Sequence, residues 1–492
     1  MFLNENLLSV YSEKNMHKGV KFNIMKENRA VSNVISYNSG HYARERLKNI
    51  LMADRIGCTP DVVTRIRDDM RKCVAAYVNI DSANMTVQLS DSFIIARIPV
   101  VGIHMKKDKE KDETHETDGH VNGKKYSLIN YNFKLVLFVI AAMIMGTITI
   151  CSVRPDFQTK QLIGVGACVI GMIIVSLIDY NFICKYYMIL YAGNILLLLL
   201  VLLVGSGGGD QGVRRWFYIS DSFTIQPSEF AKIILIICTA VFLEKNYEDL
   251  NTPKVLAKLA VFLAVPVGLI VAEPDLSTSI CIMVTLFIVI FVAGLSLKLI
   301  GIMILILVPC FGGFIWYIQQ DNLPQFLKTY QINRILGHIY GSEYGASSDQ
   351  QDNSVMAIGS GQLSGKGINN STVATVKDTN LISEQQTDFI FSAVGEELGF
   401  IGSVIIIAIL CLIVLQCIRV ARHAKDKKGM YIAAGIGSLV AFQTFINIGV
   451  ATALLPNTGL PLPFISYGLS SLVSMSAGIG LVLNINLQKK KY

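Results

Sequence analysis

The sequence predicts an all-α polytopic membrane protein of about ten transmembrane helices, preceded by a small cytoplasmic α+β domain built as helix–helix–hairpin. Three observations carry that prediction. Apolar stretches long enough to cross a bilayer, about 17–25 residues each, recur from residue 133 onward. Charge is scarce in the same region: residues 1–128 hold 36 Asp, Glu, Lys and Arg, whereas residues 129–492 hold only 43. Residues 41–103 instead show the mixed helical and alternating spacing of a compact soluble segment. With 52% hydrophobic and 16% charged residues, the 492-residue chain is excluded as a single soluble globule, which carries about a quarter charged residues.

The ten spans fall near 133–152, 161–179, 183–204, 228–244, 257–272, 276–296, 298–318, 388–417, 430–454 and 464–485. Orientation follows from Lys and Arg in the short loops. With the N-terminus inside, the inner loops collect Lys185, Lys245, Lys254, Lys258, Lys298, Arg419, Arg422, Lys425, Lys427 and Lys428, and the tail adds Lys489, Lys490 and Lys491. The first residues lack the basic-then-apolar pattern of a signal peptide, which agrees with both termini being cytoplasmic. The net charge of +7 is spread too evenly to indicate nucleic acid. Eight of the ten cysteines, Cys151 to Cys417, lie in or beside apolar runs with no Cys-x-x-Cys pair, so reduced thiols and no metal site are expected.

Two expected outer loops exceed ordinary connectors. One runs from Gly205 to Ser228; the other spans about 319–387, and loops that long tend to be functional. The chemistry is therefore expected on the outer face. Asp388 opens the eighth span, followed at once by Phe389-Ile390-Phe391. At the water–lipid boundary, desolvation would raise its pKa, which suits a general base; an Asp at a helix start is equally a helix cap. Glu396 and Glu397 read as a buried structural pair. Glu229 and Lys232 share one helix face, either neutralising each other or holding a charged headgroup. Asp275 reads most simply as a cap. Arg214-Arg215-Trp216 offers a phosphate grip and an interfacial aromatic. The stretch Leu454 to Gly468, with three prolines and two glycines, predicts a rigid irregular turn at membrane depth, tolerated only where packed in protein or lining a cavity.

In order along 130–488 stand Arg215-Trp216, Gln226-Pro227-Ser228-Glu229 with Lys232, Pro274-Asp275-Leu276, Tyr330-Gln331 and Arg334, Ala357 to Gly361, Thr387-Asp388-Phe389-Ile390-Phe391, Gly395-Glu396-Glu397-Leu398-Gly399 and the Pro456–Gly468 turn. This ordered series resembles the SEDS family of RodA/FtsW-type peptidoglycan glycosyltransferases. Thr458 to Pro463 looks more RodA-like than FtsW-like. Departures are Gln386 where the family usually has His, Gln362 where Gly is usual and Leu469 where a second Gly is usual. The resemblance implies polymerisation of lipid II into glycan strands outside the bacterial cytoplasmic membrane. Asp388 would be the catalytic base, and Arg215, Trp216, Gln226, Glu229, Lys232, Arg334, Ser360, Glu384, Thr387 and Ser466 would bind substrate. The joining reaction needs one base and positive charge near a departing pyrophosphate, a task a divalent cation could share. Direct displacement with one base would invert the anomeric centre. The rival reading is a lipid II flippase, since broken helices and buried acids also describe carriers. With no Ser-x-x-Lys nucleophile of its own, the chain is expected to work with a separate class B penicillin-binding transpeptidase.

Residues 1–40 are read as a flexible extension, 41–103 as the soluble domain and 104–130 as a charged linker. Ala43, Leu47, Ile50 and Leu51 make one helical face, Pro60 starts a second helix, and 85–89 with 93–98 read as two strands. From Ala43 to Leu47, through Tyr77 to Asp81, to Thr86 to Leu89, this segment resembles the division topological-specificity factor MinE. That resemblance implies binding of the ATPase MinD through Arg46, with Leu47 and Ile50 on the same helix.

Overall fold

The computed structural model describes residues 20–23, 67–71, 74, 79–81, 85–90, 93–102, 131–206, 214–220, 223–318, 320, 329–340, 346–370, 375–376 and 381–488. The chain divides into two compact units, Met1–Asn122 and Gly123–Tyr492.

In the first unit the strands are β1 (Val20–Asn23), β2 (Asn79–Ile80), β3 (Thr86–Ser90), β4 (Phe93–Arg97) and β5 (Val100–Gly102). β3 and β4 pair antiparallel, Thr86 opposite Arg97 and Ser90 opposite Phe93, which is the hairpin expected from alternation. β1 pairs with β4 in parallel, Val20 opposite Ile94. That strand falls inside the segment read as an extension, so residues 20–23 belong to the sheet. Its four residues are too few to show a period, which is why the sequence pattern missed it. Ala96, Ile98 and Met85 are buried, and Met70 and Val74 pack against them. Arg46, Leu47, Ile50 and the charged tract 104–130 lie outside the described residues.

The second unit is a helical bundle. Its helices are α1 (Phe133–Val153), α2 (Gln158–Leu177), the short α3 (Tyr180–Lys185), α4 (Tyr187–Val204), α5 (Pro227–Lys245), α6 (Pro253–Ala272), α7 (Leu276–Val292), α8 (Leu297–Ile318), α9 (Thr329–Tyr340), α10 (Ala346–Ser360), α11 (Ile390–Arg422), α12 (Lys427–Ala451) and α13 (Leu469–Leu487). Among the described residues eight helices are long and apolar enough to span a membrane. Two more complete the expected set. α7 has 17 residues, and α5 carries Glu229, Lys232, Glu244 and Lys245. α5 tolerates those charges because protein surrounds it: most of its length is buried, and its inner pair is ion-paired, whereas lipid would leave them unsolvated. α12 and α13 pack beside α5 and bury most of their surface, while α8 turns Leu305, Leu307 and Val308 outward. Its end, at Phe314, Ile315 and Tyr317, meets Ile332 and Leu336 of α9. All eight cysteines from Cys151 to Cys417 are free.

Several expected boundaries shift. The tenth span begins at Leu469 rather than 464, because Phe464 takes a left-handed conformation (φ 64°) and closes the preceding turn. The 276–296 and 298–318 stretches are two helices, separated by a reversal at Gly294 (φ 105°). The 319–387 loop contains α9 and α10, and the 205–228 loop contains a hairpin of β6 (Phe217–Ser220) and β7 (Phe223–Ile225).

After α10 the chain folds back onto a break in α11. Gly399 sits there at φ 65°, ψ −160°, and a Cβ would run into the backbone of Gly365 and Leu363. The loop supplies the hydrogen bonds the break removes: Lys366 N–H to Glu396 O (2.9 Å), Gly367 N–H to Glu397 O (3.0 Å), Phe400 N–H to Gln362 O (2.9 Å) and Ile401 N–H to Leu363 O (3.1 Å). Gln362 is itself left-handed (φ 50°). The Glu396 carboxylate accepts from Lys366 Nζ at 2.7 Å and from Val376 N–H at 2.8 Å. Glu397 accepts from Ser152 on α1 at 2.5 Å.

Glu396 is fully buried, so removing its cation strands a charge. Lys366→Met is expected to cost about 3–5 kcal/mol, and Lys366→Met combined with Glu396→Gln to recover most of it. Thermal unfolding in detergent reads both; equal costs for the single and double variants would contradict the pairing.

Candidate active site

Four irregular segments converge at the end of the bundle that carries the long connections. They are the β6–β7 hairpin, the α6–α7 corner at Glu273–Asp275, the 384–388 segment ahead of α11, and the 456–468 turn ahead of α13. Between them lies a cavity of about 380 Å³.

Asp388 lies in its wall, half-buried. The cap position of α11 is Phe389, with no side-chain cap bond, so the carboxylate is not spent on the helix. Two of the carbonyls ahead of it are tied to the turn: Tyr467 N–H donates to Gln386 O at 2.9 Å and Ser466 Oγ donates to Thr387 O at 2.6 Å. Gln386 donates its amide to Glu384 at 3.0 Å. Burial pushes the Asp388 carboxyl up to about 6, against the pull of the nearby Arg334 guanidinium; Glu384 pushes it further up.

The facing wall is set by hydrogen bonds to the hairpin. Trp216 exchanges backbone bonds with Ser206 (3.1 and 2.9 Å). Arg215 Nε donates to Glu273 O at 2.9 Å, and its Nη2 donates to Pro274 O. Ser470 Oγ donates to Thr224 O at 2.7 Å and accepts from Gln226 N–H at 3.2 Å, which fixes the hairpin to the start of α13. Asp275 caps α7 as expected, accepting from Thr278 N–H at 3.2 Å. Its other oxygen faces the cavity and accepts from Gln226 Nε2 at 3.1 Å. Behind it Glu273 is fully buried, and burial beside Asp275 pushes its carboxyl up to about 8. Among the described residues no three His, Cys, Asp or Glu side chains are grouped to hold a metal.

A family model described as "Cell cycle protein", that of FtsW, RodA and SpoVE, matches residues 126–491. The chain belongs to that family, the SEDS proteins. It is 32% identical over 374 residues to the probable peptidoglycan glycosyltransferase FtsW of Geobacter metallireducens, covering 73% of this chain and 96% of the relative. Stage V sporulation protein E of Bacillus subtilis is 36% identical over 340 residues, 67% of this chain and 87% of that one. Peptidoglycan glycosyltransferase MrdB of Escherichia coli K12 is 32% identical over 290 residues, 57% and 72%. Among solved structures, a chain of a peptidoglycan synthase complex superposes at TM-score 0.60 with 26% identity, covering 72% of this chain and 97% of its own. The rod shape determining protein RodA of Thermus thermophilus gives 0.53 at 26%, covering 74% and 98%. The chain is accordingly a SEDS enzyme of the peptidoglycan glycosyltransferase class and a multi-pass membrane protein. Residues 22–100 separately match the model of the septum formation topological specificity factor MinE.

Of the eleven residues expected at the SEDS site, eight line the cavity: Arg215, Trp216, Gln226, Glu229, Arg334, Glu384, Thr387 and Asp388. Three do not. Lys232 is buried beneath Glu229, bonded to it at 2.8 Å and to Gln443 at 3.2 Å. Ser360 ends α10 and donates to Ala357 O. Ser466 is spent on Thr387 O and on accepting Leu462 N–H at 2.7 Å. Asp275, Thr458, Gly459 and Tyr467, which were not among the expected site residues, also line the cavity. For Asp275 a signal existed: an acid directly after Glu273-Pro274, between two apolar runs, is costly enough to suggest function.

Gly459 (φ 71°) is the closest fit in the wall. A Cβ there would stand 3.2 Å from Asp388 Oδ2, in a backbone conformation L residues avoid. Gly459→Ala is expected to lose about 1–2 kcal/mol of stability and to reduce activity by roughly tenfold or more through the displaced carboxylate. Thermal unfolding and turnover per folded molecule measure the two effects; full activity would contradict the close approach.

Proposed function

We propose that this SEDS protein polymerises lipid II, with Asp388 as general base. The observation that carries the reading is one cavity with Asp388 in its wall and two guanidinium groups, Arg215 and Arg334, among its lining. Asp388 takes the proton of the acceptor sugar's 4-hydroxyl as that oxygen attacks the anomeric carbon of the donor. The bond from that carbon to the lipid pyrophosphate breaks, and the leaving diphosphate takes the electron pair. Arg215 and Arg334 offset its charge, and a divalent cation accompanying the pyrophosphate would add to that. With a single base and direct displacement, the anomeric centre inverts. The Lys and Arg bias of the loops supports placing the cavity on the outer face, with both termini in the cytoplasm of a bacterial cell.

A RodA-like role in elongation rests on Thr458 to Pro463. A class B penicillin-binding protein as transpeptidase partner is supported by the relative taken from a peptidoglycan synthase complex. For the first unit, the MinE match supports MinD binding through Arg46, Leu47 and Ile50. Arg46→Ala is expected to reduce recovery of the chain on immobilised MinD by at least about tenfold; undiminished recovery would contradict that contact.

Purified protein given lipid II is expected to make glycan strands, and Asp388→Asn to make almost none. Equal product from both would remove Asp388 as base, and lipid II transport without polymerisation would favour the flippase. A base acts deprotonated, so the rate should rise with pH through about 6. The Arg334 charge favours the carboxylate, so Arg334→Gln should move that midpoint upward.

A further inference from the structure

α12 lies behind the cavity and contributes nothing to its lining, yet two of its polar side chains hold the walls. Asn447 and Gln443, one turn apart, are both buried. Gln443 Nε2 donates to Pro461 O at 2.8 Å while its Oε1 accepts from Lys232 Nζ at 3.2 Å. Asn447 does something more specific. Its Nδ2 donates to Asp388 O at 2.8 Å and to Leu460 O at 2.8 Å. Both partners are carbonyls, which only accept, so the amide nitrogen must face them; Oδ1 has no hydrogen-bond partner among the described residues.

From this geometry we infer that Asn447 is a positioning residue for Asp388, fixing the gap between the base and the opposing wall of the cavity. The Asp388 carbonyl precedes the cap of α11, outside the reach of that helix's own N–H ladder. The Leu460 carbonyl lies in an irregular turn next to Pro461. Neither has a regular secondary-structure donor, and one amide serves both. Each of its two hydrogens goes to a different wall, so the two carbonyls stand no more than two hydrogen-bond lengths apart. Gly459 precedes Leu460, and the space where its Cβ would be is 3.2 Å from Asp388 Oδ2. Without the bridge, the 384–388 segment keeps its ties from Tyr467 and Ser466, and Asp388 N–H its bond to Glu384 O at 3.1 Å, but the Asp388 carbonyl loses its link across to the Leu460 wall.

The inference rests on Asp388 acting as base, and its test separates the two. In Asn447→Leu, similar in volume but without donors, kcat for lipid II polymerisation is expected to fall roughly 10- to 100-fold with KM within about twofold. The acid limb of the pH–rate profile should also move, because a released carboxylate swings toward solvent. The groups facing it are Arg334, Glu384, Thr387 and Asp275, and less burial shifts the midpoint downward. A side chain with a merely structural role would lower thermal stability without moving that midpoint. Asn447→Asp, isosteric and able to donate one hydrogen when protonated, should lose less than the Leu variant, and it decides the matter if Leu fails to fold. An unmoved midpoint with kcat retained per folded molecule overturns the inference while leaving the base reading intact. Full activity in Asp388→Asn overturns the base reading itself.

Discussion

At membrane depth every backbone N–H and C=O must find a partner inside the protein, and this constraint shapes the site. The chain leaves helical geometry in two places facing each other, at 384–388 and at 456–468. Each supplies what the other lacks. Tyr467 and Ser466 satisfy the carbonyls of Gln386 and Thr387, and Asn447 satisfies Asp388 and Leu460 together. A cavity with an ionisable wall exists here because two non-helical stretches are mutually saturated. The same solution recurs at the break in α11, where residues 362–367 replace the missing helical bonds at Gly399.

Charge inside the bundle follows a parallel logic. Lys232 is buried against Glu229, and Lys366 against Glu396. Such pairs contribute little net stability, because desolvation offsets their attraction, but either partner alone would be costly. The Lys366–Glu396 pair therefore ties the folded-back loop to α11, whereas Lys232 and Glu229 share one face of α5, with Lys232 also donating to Gln443 of α12. Asp388 makes no ion pair of that kind among the described residues; its environment combines burial with the charge of Arg334. That combination holds the carboxyl above the usual carboxylate range while keeping it a base at neutral pH.

The first unit is a separate physical problem. Its described core is Met85, Ala96 and Ile98, with Met70 and Val74 against them. Parallel addition of Val20–Asn23 to Phe93–Arg97 extends the sheet by one strand. A parallel neighbour separated by about seventy residues leaves no local trace in sequence, whereas the antiparallel hairpin does.

Composition and periodicity alone determined the ten-helix bundle, the hairpin and the two long connections, because burial in lipid demands long apolar runs and alternation survives in short strands. The ordered motifs were also sufficient to gather eight of the residues that line one cavity. Which side chains reach that cavity was decided only by tertiary structure. Lys232 and Ser466 carry the right chemistry but spend it on neighbours, since a polar group in a packed interior bonds to whatever lies within reach. Asp275 both caps a helix and faces the cavity, with its two oxygens pointing different ways. Asn447, like Gln443 a polar residue in an apolar span, has no sequence signal for its role, because the carbonyls it joins are 59 and 13 residues away and meet only when the bundle closes.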